Sequence, residues 1–360
     1  MKKFKIVSVF LFVIIIVSCE RETVDNEINS LLDMTEEMNV EIKDDTSEGD
    51  ENKNEINSYL NISDDEMEIP GVAILDKTAP KTLNDKFLYG KDKSRYPKVD
   101  GSTALMPLMA SIRKNALDET LEEAENETNC TKTNQAWYNL SRGVADVLIV
   151  GEMPGEVKND LKSYINNDDG KYIKMKYAPI RREGLVFIVN KDNPIESLTI
   201  QQIIDIYTGK ITNWKEVGGE DIEIEAFQRE EKSGSQTIFR KIVMKDIEPT
   251  KQEVYYYPGD MDSLIDTLAS YDNSRNAIGY SVYYYVTEMY KNDSLKLIKV
   301  DGVMPSNETI ANFTYPLLNE SYVAIRLDEK EDSDAHKLYD YIRSNKGREA
   351  IIEAGYVPVG

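Results

Sequence analysis

The sequence predicts an α/β protein with mixed, mostly parallel β-sheets flanked by helices. Short apolar runs with strand character alternate with helical runs from about residue 72 to the C-terminus, which is the order that α/β folds show. The chain is 41% hydrophobic, enough to build a core, so a wholly disordered protein is excluded. Two cysteines and one histidine, His336, exclude a disulfide scaffold and argue against metal sites or catalysis that depend on these residues.

The individual elements follow from periodicity and from the residues that end each run. Apolar positions that recur every three to four residues predict helices, and short apolar runs bounded by Gly, Pro, Asn or Asp predict strands. Gly209, for example, ends one helical run and Pro194 follows one strand. In chain order, we predict helices over residues 105–117, 197–207, 237–244 and 335–354, and strands over residues 146–150, 184–190, 222–227 and 277–282.

Residues 1–18 have the pattern of a targeting segment. Lys2, Lys3 and Lys5 precede an apolar run over residues 6–17, which is too short for a comfortable membrane span. The run ends at Cys19 and resembles the lipobox of bacterial lipoproteins, which implies removal of residues 1–18 as a signal peptide and lipidation of Cys19. An uncleaved N-terminal anchor helix is the alternative. Both place the rest of the chain outside the cytoplasm.

The next segment, residues 19–69, is predicted to be a disordered acidic tether. Residues 20–69 hold 18 acidic and three basic residues and therefore carry most of the formal net charge of −22. Such a composition cannot bury enough apolar surface to offset the entropy lost on ordering. The strong negative charge also argues against nucleic-acid binding, which requires a basic face.

Three later loops place small hydroxyl residues just before a helical run: residues 100–104, 131–135 and 233–237. Taken singly, each is an ordinary helix N-cap. Together, their hydroxyl and backbone N–H groups can surround a tetrahedral oxyanion without a metal ion. Arg229 can add a bidentate guanidinium, oriented by Glu231, although an Arg–Glu pair on the surface is the alternative.

The runs at residues 184–194, 198–214 and 229–237 resemble the phosphate-binding proteins of phosphate ABC transporters. The resemblance extends over about residues 96–360. It implies the type II periplasmic binding protein fold, with two α/β lobes joined by a two-strand hinge and the ligand between them. The implied lobes are residues 70–182 with 281–360, and residues 183–280.

The resemblance also implies a set of binding residues. Glu152 stands where the family has an aspartate that faces phosphate, and the match at Thr133 and Asn134 is looser because neither is serine. A carboxylate at Glu152 would accept the proton of phosphate and repel sulfate, which has none. The implied phosphate-binding residues are Ser102, Thr103, Ala104, Thr133, Asn134, Glu152, Arg229, Ser233, Gly234, Ser235 and Gln236, with Glu231 in support.

The expected function is therefore that of a solute-binding lipoprotein. It would hold inorganic phosphate without cofactor or metal, act as a monomer on the outer face of the cytoplasmic membrane, and deliver phosphate to an ABC permease. Three alternatives stay open: a binding protein or sensor for another oxyanion or small solute, a surface hydrolase, and an adhesive surface protein. A hydrolase would need a nucleophile with a base, or a metal cluster, and the loops show neither.

Overall fold

The computed structural model describes residues 71–84, 87–167, 170–231, 233–245, 247–250, 265, 268, 269 and 274–359. The predicted signal peptide over residues 1–18, the predicted lipidation at Cys19 and the predicted tether over residues 19–69 lie outside these residues. All the elements below belong to one compact unit of the chain.

A mixed nine-stranded sheet forms the framework of the described structure. The strands are β1 (Ala73–Leu75), β2 (Val99–Gly101), β3 (Val147–Val150), β4 (Met175–Asn190), β5 (Ser197–Leu198), β6 (Glu225–Ala226), β7 (Ala277–Val282), β8 (Leu295–Leu297), β9 (Lys299–Val300), β10 (Leu318–Arg326) and β11 (Val357–Pro358). The sheet has the order β2-β3-β10-β4-β7-β6, with β1, β8 and β11 also on β4, while β5 and β9 form a separate pair.

Parallel pairing joins β1 to β4, β2 to β3, β6 to β7 and β5 to β9, so the sheets are mixed as expected but are not mostly parallel. The long strands β4 and β10 differ. They run antiparallel to each other, β10 is antiparallel to β3, and β7, β8 and β11 are antiparallel to β4. The sheet is mixed because all of its antiparallel pairings involve β4 or β10.

Helices cover the sheet on both faces. The α-helices are α1 (Met106–Leu117), α2 (Leu121–Glu127), α3 (Thr133–Ser141), α4 (Gly155–Asn166), α5 (Ile200–Tyr207), α6 (Gly234–Ile238), α7 (Asn307–Ala311), α8 (Asp334–Arg343) and α9 (Asn345–Glu353). Short 3₁₀ turns occur at Lys93–Arg95, Thr103–Leu105, Trp214–Val217 and Ser274–Asn276. Segments of π-helix occur at Phe239–Met244 and Tyr285–Met289.

The first lobe is built on β3, which is buried on both faces. Successive side chains of a strand point to opposite faces, so Val147 and Ile149 enter one apolar cluster while Leu148 and Val150 enter another. Helices α1, α8 and α9 cover the first cluster, and α3 and α4 cover the second. This double burial explains why β3 is a continuous apolar run without alternation.

The second lobe is held by buried aromatic rings. Phe187 on β4, Tyr207 at the end of α5, Phe239 and Tyr280 on β7 pack against one another, and the rings of Phe239 and Tyr280 stack with centroids 4.3 Å apart. Buried Trp214 donates its Nε1–H to the Asn276 carbonyl at 2.9 Å. The aromatic core fixes β7 and the segment after β6, from which part of the site is built.

Strands β4 and β10 form the hinge, and its centre is unexpectedly polar. β4 runs through both lobes, pairing with β10 over residues 175–184 and with β7 over residues 185–189. Where the lobes meet, the two strands carry six buried polar residues in register: Arg181, Arg182 and Glu183 opposite Ser321, Glu320 and Asn319.

The return of the chain to the first lobe differs from the boundary drawn on the sequence. That boundary assigns residues 281–360 to the first lobe. β8 pairs with the last residues of β4, and β9 pairs with β5, so residues 295–300 pack with the second lobe. Tyr284 packs against the first cluster of the first lobe, and the chain pairs again with the first-lobe strand β3 at β10.

Several predicted elements are present and others change length. Helix α1 and strand β3 lie where they are predicted. The predicted terminal helix is two helices, because Ser344 is extended and its Oγ caps α9. The predicted strand over residues 184–190 is only the second half of β4, and the strand over residues 222–227 shortens to β6.

Candidate functional site

A cavity of about 350 Å³ lies between the two lobes, with the hinge at its base. Loops that precede α3 and α6 reach it from opposite sides. A Cβ placed on Gly234 would lie 3.0 Å from the Thr133 Oγ1, so the two lobes approach closely at this point. Nine of the predicted site residues line the cavity: Ser102, Thr103, Ala104, Thr133, Asn134, Arg229, Ser233, Gly234 and Ser235.

The first-lobe part of the site is organised by hydroxyl groups. Ser102 follows β2 and begins the 3₁₀ turn, and its Oγ lies 2.8 Å from the Thr133 Oγ1 at the start of α3. The Gly151 N–H donates to the Ser102 Oγ at 2.9 Å. This places three loops, each following or preceding a regular element, around one corner of the cavity.

Asp100 holds these loops together from behind. Its buried carboxylate accepts hydrogen bonds from the Gly101 N–H, from the N–H and Oγ1–H of Thr131, and from the Asn139 Nδ2 at 2.6–2.9 Å. A buried carboxylate must have such partners, because an unsatisfied one costs several kcal/mol. The sequence motif around residues 100–104 contains Asp100, but its role as the organiser of the loops requires the fold.

The second-lobe part of the site is Arg229 with the loop that follows it. Arg229 is 5% exposed. Its backbone N–H donates to the Gln236 Oε1 and to the Tyr280 hydroxyl, both at 3.2 Å. The Ser233 Oγ accepts from the Gln236 N–H at 3.2 Å and so caps α6. The Ser235 Oγ is buried and has no hydrogen-bond partner among the described residues. It is a donor that a ligand can use.

Three predicted site residues take other positions. Glu152 does not line the cavity, and its carboxylate pairs with Lys241 at 2.7 Å across the two lobes. Gln236 is buried behind the loop, where its amide bonds Arg229, Tyr280 and Glu231. The Glu231 carboxylate accepts from Gln236 at 3.1 Å and lies 3.8 Å from the Arg240 Nε.

Sequence reasoning missed the base of the cavity, which the hinge supplies. Arg181 from β4 and Asn319 and Ser321 from β10 line it. The Arg181 Nε donates to the Ser321 Oγ at 3.2 Å, and its Nη2 forms a short ion pair with Glu183. A run of charged residues normally predicts a solvent-exposed segment. The run Arg181–Glu183 is buried because β4 pairs with β10.

The comparisons with known proteins agree with this architecture. Residues 92–345 match the family model described as a PBP superfamily domain, which covers well over half of the chain. The chain belongs to the PBP superfamily. Within the described residues, no helix has the length and apolar character needed to cross a membrane.

Several phosphate-binding proteins are similar to this chain over most of its length. A phosphate-binding protein, PstS, of Bacillus subtilis is 23% identical over 78% of this chain and 86% of its own length. PstS of Borreliella burgdorferi is 22% identical over 77% of this chain and 96% of its own length. A putative phosphate ABC transporter substrate-binding protein of Clostridium perfringens, solved with bound phosphate, is 27% identical, with a TM-score of 0.54, over 73% of this chain and 98% of its own.

On the other face of the hinge of this PBP-superfamily chain lies a buried acidic group. Glu320 pairs in register with Arg182. Burial raises the pKa of Glu320 to about 7, the Glu152 charge adds to the rise, and the Arg182 and Lys241 charges oppose it. Burial also lowers the pKa of Arg182. The hinge thus holds an ionisable group that changes charge near neutral pH.

Proposed function

We propose that this protein captures inorganic phosphate in the cavity between its lobes and delivers it to the permease of an ABC transporter. One observation carries the proposal: hydroxyl groups from separate loops and the buried guanidinium of Arg229 surround a single cavity. The similarity to a Clostridium perfringens protein solved with bound phosphate supports the same ligand class.

The chemistry of the cavity suits a small oxyanion. Ser235 and one member of the hydrogen-bonded pair Ser102–Thr133 offer O–H donors, and buried Arg229 supplies a formal charge with a planar set of N–H groups. Fixed dipoles in a partly enclosed cleft bind an anion more strongly than they would in bulk solvent. About −8 kcal/mol, which corresponds to micromolar affinity, is within reach of such a set of donors.

Isothermal titration calorimetry of the full chain with phosphate tests the proposal. Arg229→Gln should weaken phosphate binding about 10- to 100-fold, because a charge-assisted hydrogen bond contributes about 1.5–3 kcal/mol. Arg142→Gln is a matched control, since Arg142 is exposed at the end of α3, and it should leave the affinity unchanged. Absence of phosphate binding by the wild-type protein would contradict the proposal.

We also propose that the protein acts as a monomer on the outer face of the cytoplasmic membrane, anchored through a lipid on Cys19. Two acyl chains would bury many methylenes at about 0.8 kcal/mol each, which suffices for stable attachment. Cys19→Ser should release the protein from the membrane fraction and abolish labelling by a radioactive fatty acid. If the variant stays in the membrane fraction and is still labelled, the proposed lipid anchor on Cys19 is refuted, and the proposed ligand is not affected.

A further inference from the structure

A second buried arginine faces the cavity from the hinge. Arg181 is 2% exposed and lines the base of the cavity beside Ser321. Its guanidinium carbon lies 4.5 Å from the centre of the Tyr356 ring, within the range of a cation–π contact that restricts the position of the group. The Nε donates to the Ser321 Oγ at 3.2 Å.

The counter-ion of Arg181 is itself fixed. Besides the ion pair with Arg181, the Glu183 carboxylate accepts from the Gly184 N–H at 3.1 Å and from the Tyr284 N–H at 3.3 Å. Glu183 therefore keeps the guanidinium in place when the cavity is empty and offsets the cost of burying it. The hydrogen bonds that Arg181 donates to described residues leave from Nε and Nη2, and none leaves from Nη1. The Nη1 donors can therefore serve a ligand in the cavity.

The carboxylates near the cavity are each committed to other partners. Glu152 is paired with Lys241 at 2.7 Å, and Asp100 accepts its hydrogen bonds from the loops behind the site. Of the described residues that line the cavity, Glu230 is the acidic one, and it is exposed. Among the described residues, no buried carboxylate lines the cavity, where it could accept a proton from the ligand or repel an anion that has none.

Resting on the proposed phosphate site, we propose that Arg181 is a second arginine ligand of the bound anion, and that the cavity selects tetrahedral dianions by charge, so that sulfate binds as well as hydrogen phosphate. The sequence predicts the opposite, that Glu152 excludes sulfate. That prediction needs a carboxylate at the anion, and the ion pair with Lys241 holds Glu152 elsewhere. Selection against sulfate requires a repulsive element, and the lining supplies donors instead.

Calorimetry of the full chain with sodium phosphate and sodium sulfate, in a chloride buffer at pH 7.5, tests the inference. We expect the two dissociation constants to agree within about tenfold. Glu152→Gln should leave their ratio within about twofold of the wild-type value. Phosphate binding with sulfate at least 100-fold weaker would overturn the inference and leave the proposed function intact. Binding of neither anion would overturn both.

Arg181→Lys tests the hinge ligand separately. Lysine keeps the charge beside Glu183 but lacks the planar fork, so we expect both anions to bind about tenfold more weakly by the same factor. Unchanged affinity for both anions would overturn the role of Arg181. If Arg181→Lys fails to fold, the double variant Arg181→Gln with Glu183→Gln removes the ion pair without leaving a buried charge, and the same loss is expected.

A titration at pH 6 and pH 8 gives a readout that a purely structural role would not change. Phosphate gains its second charge near neutral pH, whereas sulfate is doubly charged at both values, so only phosphate binding should tighten. The charged residues that line the cavity are Arg181, Arg229, Lys132 and Glu230, and sulfate, whose own charge does not change, reports any contribution from these groups or from Glu320 behind the hinge. Equal changes for both anions would contradict selection by ligand charge.

Discussion

Glu320→Gln is the most direct test of the electrostatics of the hinge. Glu320 is buried on β10 opposite Arg182, and burial raises the pKa of its carboxyl to about 7 from an ordinary value of 4.5. Glutamine has nearly the same shape and cannot ionise. The exchange therefore removes the titration and keeps the packing.

The size of the effect follows from linkage between proton binding and folding. Between pH 4.5 and about 7 the folded protein holds a proton on Glu320 that the unfolded chain has lost, so stability falls as pH rises through this range. At about 1.4 kcal/mol for each unit of pKa, the total is roughly 3 kcal/mol. Because glutamine lacks this loss, the free energy of unfolding of the variant relative to wild type should rise by about 3 kcal/mol between pH 4 and pH 8.

Urea unfolding of both proteins at pH 4, 6 and 8, followed by tryptophan fluorescence, measures this difference. The buffers must contain neither phosphate nor sulfate, because a bound anion stabilises the folded state. Glu308→Gln removes an exposed carboxylate on α7 and is the matched control. If the wild-type and Glu320→Gln proteins show the same dependence on pH within about 0.5 kcal/mol, which is the uncertainty expected of such extrapolations, the reasoning is refuted.

Three further substitutions test the packing around the site. Gly101→Ala would put a Cβ 1.9 Å from the Ile149 carbonyl oxygen, so we expect a loss of more than about 2 kcal/mol in urea unfolding, and a wild-type midpoint would refute the close approach. Asp100→Asn should weaken phosphate binding at least about tenfold in calorimetry, because an amide cannot accept all the hydrogen bonds of the carboxylate; equal affinity would contradict its organising role. Trp214→Phe removes the hydrogen bond to Asn276 and should cost about 1–3 kcal/mol by the same unfolding assay, whereas no loss would show that this bond does not stabilise the second lobe.

The parts of the site that the sequence predicts are those with local signals. Ser102, Thr133 and Ser233 each precede a helical run, and a hydroxyl residue in that position has a physical reason that can be recognised over a few residues. The fold then brings these separate loops to one cavity. Local signals do not show which loops meet in the fold. The resemblance to a family predicted that these loops form one site.

The buried charges of the hinge could not be predicted from the sequence because their partners are distant in the chain. Arg181 and Glu183 lie in β4, but the apolar run in the sequence predicts a strand that begins only at Gly184. Their burial depends on β10, which is about 140 residues away in the chain. Glu152 and Lys241 are likewise 89 residues apart in the chain, so sequence spacing does not predict their ion pair.

The placement of polar groups on the hinge links anion binding to the arrangement of the lobes. Ser102 belongs to one lobe, Ser235 to the other, and Arg181 to a strand shared by both. An anion that contacts all three gains its full binding energy only when the lobes are as close as the Thr133–Gly234 approach requires. By population shift, such a ligand favours the closed arrangement by the free energy of the contacts that the open one lacks. If Arg181 is a ligand as proposed, its contact would persist when the lobes separate, and the contacts across the cleft would set the preference for closure.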